Sequence, residues 1–290
     1  MKMDVRRFID LHVHVGPEVI PRKYTASQLV KEEAGKIAGV ALKNHFCPTA
    51  PLIRGVESED IILVGSVTLN NYVGGLNPDA VYASAKISKL PIIVWFPTIN
   101  ARNFLERSEY EIPPEWVGPD FRSRPSKEVK GISAMDAKGK LTEDAEKVLQ
   151  AIKDNDCILA TGHVSWQEAR YLVTEAVRMG IKRIIVTHPI YQLIDMPLEV
   201  QKELSQNEGV YIEQTFAMYS IDRIPISRIA EQIKAIGVEN CIISSDVGQV
   251  NSPSPSEALS RFTKMLLKEG LTEDDLRMMG GVNPRKLLAK

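Results

Sequence analysis

The sequence predicts an α/β fold, a (β/α)8 barrel of eight parallel strands with a long insertion after the fourth strand. Three observations predict it. Eight short runs rich in Ile and Val recur along the 290 residues. Segments of helical periodicity fill most of the gaps between them. All five histidines sit at the carboxyl ends of the apolar runs, and none lies in a helical segment.

The eight runs, in order, are "RFIDLHVHV" (7–15), "IAGVALKNHF" (37–46), "IILVGSVTLN" (61–70), "PIIVWFPT" (91–98), "CILATGHV" (157–164), "RIIVTHP" (183–189), "GVYIEQTF" (209–216) and "CIISSDVG" (241–248). Near-continuous apolar character over a few residues marks strands covered on both faces, hence a parallel sheet flanked by helices. The first helix is "TASQLVKEEAGKIA", opening on Thr and Ser as caps, and the next is "NPDAVYASAKISKL", with Asn then Pro at its start. "LTEDAEKVLQAIKDND", "SWQEARYLVTEAVRMG", "PLEVQKELSQNEG", "PISRIAEQIKAIG" and "SPSEALSRFTKMLLKEG" follow, most of them running into a glycine that can end a helix. Only the gap after the second run lacks a long helical pattern. An open doubly wound sheet is the rival arrangement.

The spacing is irregular once. About 40 residues separate Thr98 from the helix that begins near Leu141, more than a compact strand-to-helix loop needs. This insertion, residues 99–140, contains Tyr110, Trp116, Phe121 and several arginines. Because it leaves the carboxyl end of a strand, it is expected over the barrel mouth, as a lid or a subunit contact. The absence of repeats, low-complexity tracts and linkers makes residues 1–290 a single domain.

Apolar residues make up 44% of the chain and charged residues 25%, the mix of an ordinary globular protein. With 36 Lys and Arg against 37 Asp and Glu, the balance exerts no bulk pull toward nucleic acid or an anionic membrane. Cys47, Cys157 and Cys241 are far apart, odd in number and set in apolar runs, which points to reduced thiols. The charged start "MKMDVRRFID" is not a secretory signal, and no stretch approaches the ~20 apolar residues of a membrane span. A cytoplasmic protein acting on a small molecule is expected, without nucleic-acid or membrane partners, and a homo-oligomer is compatible with this.

His12 and His14 end the first run, His45 the second, His163 the fifth, His188 the sixth, and Asp246 the eighth. Side chains alternate along a strand, so His12 and His14 face one way, and in a barrel that way is the central axis. Singly, a strand histidine is usually a buried structural residue and a lone Asp after a strand is usually a helix cap. Imidazoles converging with a carboxylate at one barrel end make a divalent-metal site. Zinc is the first expectation, with Fe, Mn, Ni or Co as alternatives, at one or two ions per chain.

The ordered set "DLHVH", "TGHVS", "VTHP", "SSDVG" and "GGVNPRKLLA" resembles the amidohydrolase superfamily of metal-dependent hydrolases, in order and spacing over nearly the whole chain. The resemblance implies that His12, His14 and Asp246 hold one metal, that His163 and His188 hold a second or contact substrate, and that Asp246 is the general base toward a metal-activated water. Hydrolysis of an amide, lactone or other ester follows, with phosphoesters and deamination also open. Two-metal members usually carry a bridging carboxylated lysine or a glutamate on the fourth strand, and "IIVWFPT" supplies neither. Lys43 in "ALKNHF", on the same face as His45, is the nearest substitute. It is read first as a carboxylated bridge and metal ligand, then as a cation for a substrate carboxylate or phosphate, or as a partner of Glu213. His45 is assigned to metal or substrate.

Substrate contacts are expected from Glu18 and Arg22, Asn70 and Asn71, Arg102, Trp166, and Gln249 with Asn251, all on loops after strands. Three rivals stand beside hydrolysis: metal-dependent decarboxylation on the same site, a Schiff-base lyase with Lys43 as nucleophile, and a binding protein with a closed metal.

Overall fold

The structure is a computed structural model, and residues 3–56, 58–117 and 120–289 are described. Gly118 and Pro119 of the insertion lie outside them. Among the described residues, nine strands run parallel to their neighbours: β1 (Ile9–His14), β2 (Gly39–Lys43), β3 (Ile62–Val64), β4 (Ser66–Thr68), β5 (Ile93–Trp95), β6 (Ile158–Ala160), β7 (Ile184–Val186), β8 (Val210–Thr215) and β9 (Cys241–Ser244). They form a sheet of order β1-β2-β3 and another of order β4-β5-β6-β7-β8-β9. Each strand falls inside one of the apolar runs.

The third run is divided at Gly65, and hydroxyl groups explain why the division is tolerated. Ser66 Oγ donates to Leu42 O at 2.6 Å, and Thr49 Oγ1 donates to the same carbonyl at 2.7 Å. Thr68 Oγ1 donates to Asn44 O at 2.9 Å. Side chains thus satisfy carbonyls of the second run where the backbone ladder lapses. At the other end of the strand order, Asp246 N donates to His12 O (2.9 Å) and His14 N to Val247 O (2.8 Å), so the chain after β9 pairs with β1.

Among the described residues, seven long helices lie where helical periodicity places them: 26–33, 78–87, 143–154, 166–178, 198–205, 226–236 and 255–268. Capping boxes at Thr25/Gln28, Ser165/Glu168 and Ser254/Glu257 start three of them by pairing amides that have no intrahelical partner. After the second run there is only a short helix, Ala50–Arg54. The insertion is built from Arg102–Arg107 and two 3-10 turns, and is clamped by Glu111. That buried carboxylate accepts from Tyr72 OH, Asn100 Nδ2 and Arg124.

Two apolar clusters follow from strand alternation. A small one joins Ile9, Leu11, Ala41, Val64, Ile93, Trp95, Ile158, Ala160, Ile185, Tyr211 and Ile242 from the inner strand faces. A much larger one, with Val13, Leu42, Val94, Leu159, Ile184 and Ile212, lies between strands and helices. All three cysteines are free thiols, as expected, and burial pushes Cys157 up to about 12. No described helix is long and apolar enough to cross a membrane.

Asp10 fastens the β9–β1 junction. Its Oδ1 accepts from His12 N (3.2 Å) and Ser245 N (3.0 Å), and burial pushes the carboxyl up to about 7. Removing the acceptor leaves two buried amides unpaired, whereas removing only the charge does not. Asp10→Ala should therefore lower stability by about 3 kcal/mol and Asp10→Asn by less than about 1 kcal/mol, as read from urea-unfolding midpoints. Equal losses would show that the charge, rather than the acceptor, matters.

Candidate metal centre

The centre begins with an irregularity in β1. Ile9 and Asp10 pair with Gly39 and Val40, and Val13 and His14 pair with Leu42 and Lys43, so Leu11 and His12 together face Ala41. Strict alternation from Ile9 and Leu11 would aim His12 and His14 at the helices. The extra residue reverses the parity, as a β-bulge does, and sends both rings inward with Lys43. The shared direction expected of the two histidines holds, but the bulge sets it.

His45, His188 and Asp246 lie two residues past β2, β7 and β9, and His163 three past β6, so loop backbone aims them. Gly162, at φ +65°, makes the turn before His163, and a Cβ there would fall on Phe96 O. Asp246 itself takes φ +54°, a left-handed conformation costing on the order of 1 kcal/mol. The hydrogen bond from its backbone N–H to His12 O holds it there.

Ligand atoms of His12, His188 and Asp246 lie within 4.8 Å of one another, all buried. Asp246 Oδ1 is 3.1 Å from His12 Nε2 and 3.0 Å from His14 Nε2, while Oδ2 is 3.9 Å from His188 Nε2. The His163 ring is centred 5.2 Å from that of His188, and the His45 ring 4.7 Å from that of His14. The six residues therefore converge, but the three-residue set combines His12 and Asp246 with His188 instead of His14.

His12 has both nitrogens committed. Nδ1 lies 3.2 Å from each oxygen of Glu213, and Nε2 lies 2.9 Å from Lys43 Nζ. With the proton on Nδ1, donated to Glu213, the Nε2 lone pair faces Lys43 and the centre. Lys43 therefore does not pair with Glu213; it meets His12 and sits over the Trp95 ring, 4.1 Å from its centroid. Burial pulls the ammonium down to about 8.

Burial, with Lys43 and Arg22 nearby, holds His12, His14 and His45 well below the usual imidazole range. It does the same to His163 and pulls His188 down to about 4. Their lone pairs are therefore available at neutral pH. Burial raises Asp246 and Glu213 against the pull of His12, His188 and Lys43. Nδ1 of His163 and of His188 are buried without a partner among the described residues. Neutral imidazoles, a carboxylate and orphaned ring nitrogens in one place fit a divalent cation of borderline softness.

The pocket above the centre is small, about 30 Å³, and its walls include Arg22, Lys43, His163, His188, Asp246 and Gln249. Trp116 of the insertion also lines it, stacked on His45 with 9° between the rings, as do Tyr191, Met218, Ile221 and Asp222. Glu18 lies behind Arg22, accepting from its Nε and, through Oε2, from His45 N (2.8 Å). Two expected substrate contacts are elsewhere. Arg102 is exposed on a separate groove with Glu106, Tyr110 and Lys127, while Asn103 and Phe104 of the same helix face His163. Trp166 opens the helix 166–178 and packs half-buried against the outer core. Asn70 holds His45 O and Thr98 Oγ1, and Asn71 holds Lys130 O, so both serve the loops.

Sequence reasoning missed Tyr191 and Asp222 and weighed Glu213 only as one alternative partner for Lys43. A lone acid in an apolar strand was the available signal for Glu213, and Tyr191 follows His188 by three residues in a tight turn.

No curated protein matches the chain. Solved structures that share its fold include an amidohydrolase from Pseudomonas aeruginosa, at 11% identity, 97% coverage of this chain and 94% of that one, and a TM-score of 0.59. The phosphotriesterase homology protein from Escherichia coli, solved with phosphate in its active site, matches at 14% identity, 98% and 99% coverage, and 0.59. A 2,6-dihydroxybenzoate decarboxylase matches at 11% identity, 99% coverage of both chains, and 0.53. These likenesses carry the amidohydrolase resemblance at the level of fold over nearly the whole length. In sequence, a family profile matches residues 7–213, from the start of the first run to Glu213, and the chain belongs to that family, the family of unknown function DUF6282.

Proposed function

We propose that this chain is a metal-dependent hydrolase that cleaves an amide, lactone or other ester bond of a small molecule, with Asp246 as general base. The convergence of His12, His188 and Asp246 within 4.8 Å carries this reading. A divalent transition cation, zinc first, would supply Lewis acidity there, lowering the pKa of water from about 15.7 toward about 7 and polarising the scissile bond.

The protein's own groups do the rest. Glu213 accepts from His12 Nδ1 and fixes the ring so that Nε2 faces the centre. Asp246 accepts from His14 Nε2 through Oδ1, which leaves Oδ2 to take the proton of the attacking water and return it to the leaving group. His14, His45 and His163 complete the wall and shield the reaction from bulk water. Lys43, partly neutral at its lowered pKa, is suited to take up carbon dioxide as a carbamate that would serve as a metal ligand, and as an ammonium it would hold a substrate oxygen. Trp116 supports a lid role for residues 99–140. We also read β3 and β4 as one stave, and the β9–β1 hydrogen bonds as closure of an eight-stranded barrel, which would put the centre at its mouth.

Metal-dependent decarboxylation is the second reading, favoured by the fold shared with a decarboxylase and by buried cations in the pocket. The reactions differ in product: hydrolysis yields an acid with an alcohol or amine, and decarboxylation releases carbon dioxide.

Asp246→Asn should keep its secondary structure by circular dichroism and lose turnover of the responsive ester or amide by a factor on the order of 100 or more. Retained turnover would remove Asp246 as the base. Glu213→Gln should weaken zinc binding about 10- to 100-fold in equilibrium dialysis, through loss of the ring's anchor. Unchanged affinity would mean that His12 does not hold the cation.

A further inference from the structure

Arg22 is one of two cationic side chains buried at the pocket, and the metal centre does not account for it. Its side chain is 2% exposed, and that of its partner Glu18 is fully buried. The loop bearing it is pinned to the loop after β9 by a backbone bridge between Arg22 and Gln249. Nε donates to Glu18 Oε1, and one Nη2 hydrogen is directed to His14 Nδ1 at 3.2 Å. Nη1 has no hydrogen-bond partner among the described residues, and Arg22 lines the pocket, so part of the guanidinium fork remains unused. Gln249, beside it, has a buried Oε1 that also lacks a partner.

Burying a guanidinium is costly, and a single carboxylate leaves several of its five N–H groups unsatisfied. Such a fork at the wall of a small cavity matches the spacing of two oxygens on a carboxylate or phosphate. The contact with His14 adds a condition. Arg22 only donates, so His14 Nδ1 must accept, and the proton of the neutral ring is then on Nε2, facing Asp246. If His14 instead ligates through Nε2, its Nδ1 becomes a donor, Arg22 loses that acceptor, and Nη2 is released as well.

We propose that Arg22 is the anchor for an anionic group, a carboxylate or a phosphate, on the molecule this site takes. The proposal rests on the hydrolase reading only in placing the substrate in this pocket. Gln249 and Lys43 line the same pocket as the fork, and Lys43 adds a second positive charge there. A substrate with one oxyanion and one scissile bond would be held at Arg22 while the bond lies over the centre.

The test is isothermal titration of zinc-loaded protein with two probes, succinate and inorganic phosphate. It compares wild type, Arg22→Lys, and the double variant Arg22→Met with Glu18→Gln, which removes both buried charges together. The double variant should bind the preferred probe at least about tenfold more weakly, with zinc content and melting temperature unchanged. Arg22→Lys, which keeps the charge but not the fork, should fall between the two. The probe with the larger Arg22-dependent affinity identifies the group.

Equal affinity in all three proteins would overturn the proposal. So would a loss of zinc in step with the loss of anion, which would make Arg22 a positioning residue for His14. If the double variant does not fold, Arg22→Lys decides alone, with wild-type affinity counting against the anchor. Arg22-dependent anion binding without turnover of any carboxylated ester or amide would defeat hydrolysis and leave the anchor standing. Turnover of neutral esters, together with anion affinity that ignores Arg22, would do the reverse.

Discussion

One residue more on β1 than on β2 turns His12 and His14 from the helix layer toward the centre, and the chemistry of the site depends on that shift. Leu11 and His12 share the single partner Ala41, so both point inward, and His14 then stands beside Lys43. A regular strand would bury two imidazoles in the outer apolar layer, away from Glu213 and Asp246. The same shift brings the carbonyl of His12 to the amide of Asp246. Backbone pairing and side-chain convergence are therefore consequences of one local irregularity.

Burial then sets the charge state. Five imidazoles lie in a space where water is scarce and cations are close, so they stay neutral and keep their lone pairs. The carboxylates are raised for the same reason, and each is tied to a donor: Glu213 to His12, Asp246 to His14, Glu18 to Arg22. A divalent cation entering such a place would replace the contacts that now hold these side chains together. The orphaned nitrogens of His163 and His188 mark where the protein's own hydrogen bonding stops short.

The wall of the pocket divides the work among loops that follow different strands. The loop after β1 brings Arg22, the insertion after β5 brings Trp116, and the loop after β9 brings Gln249. Loops can vary in this way because the strand ends beneath them are held rigidly by the inner cluster around Trp95. Glu111 performs the equivalent service for the insertion, gathering Tyr72, Asn100 and Arg124 on one carboxylate.

The sequence by itself determined the order of strands and helices, because apolar runs and helical periodicity are local patterns with local causes. It also determined that His12, His14, His45, His163, His188 and Asp246 cluster, since parallel strands bring their carboxyl ends to one side. Tertiary structure alone decided which atoms meet. Beyond a strand end, side-chain direction depends on backbone angles such as those of Gly162 and Asp246, and within β1 on a register that only pairing with β2 defines. For that reason His188 joins His12 and Asp246 with ligand atoms within 4.8 Å of one another, Glu213 meets His12, and Arg102 and Trp166 lie outside the pocket. The contact of Glu213 with His12 joins residues 201 positions apart, which no window of sequence contains.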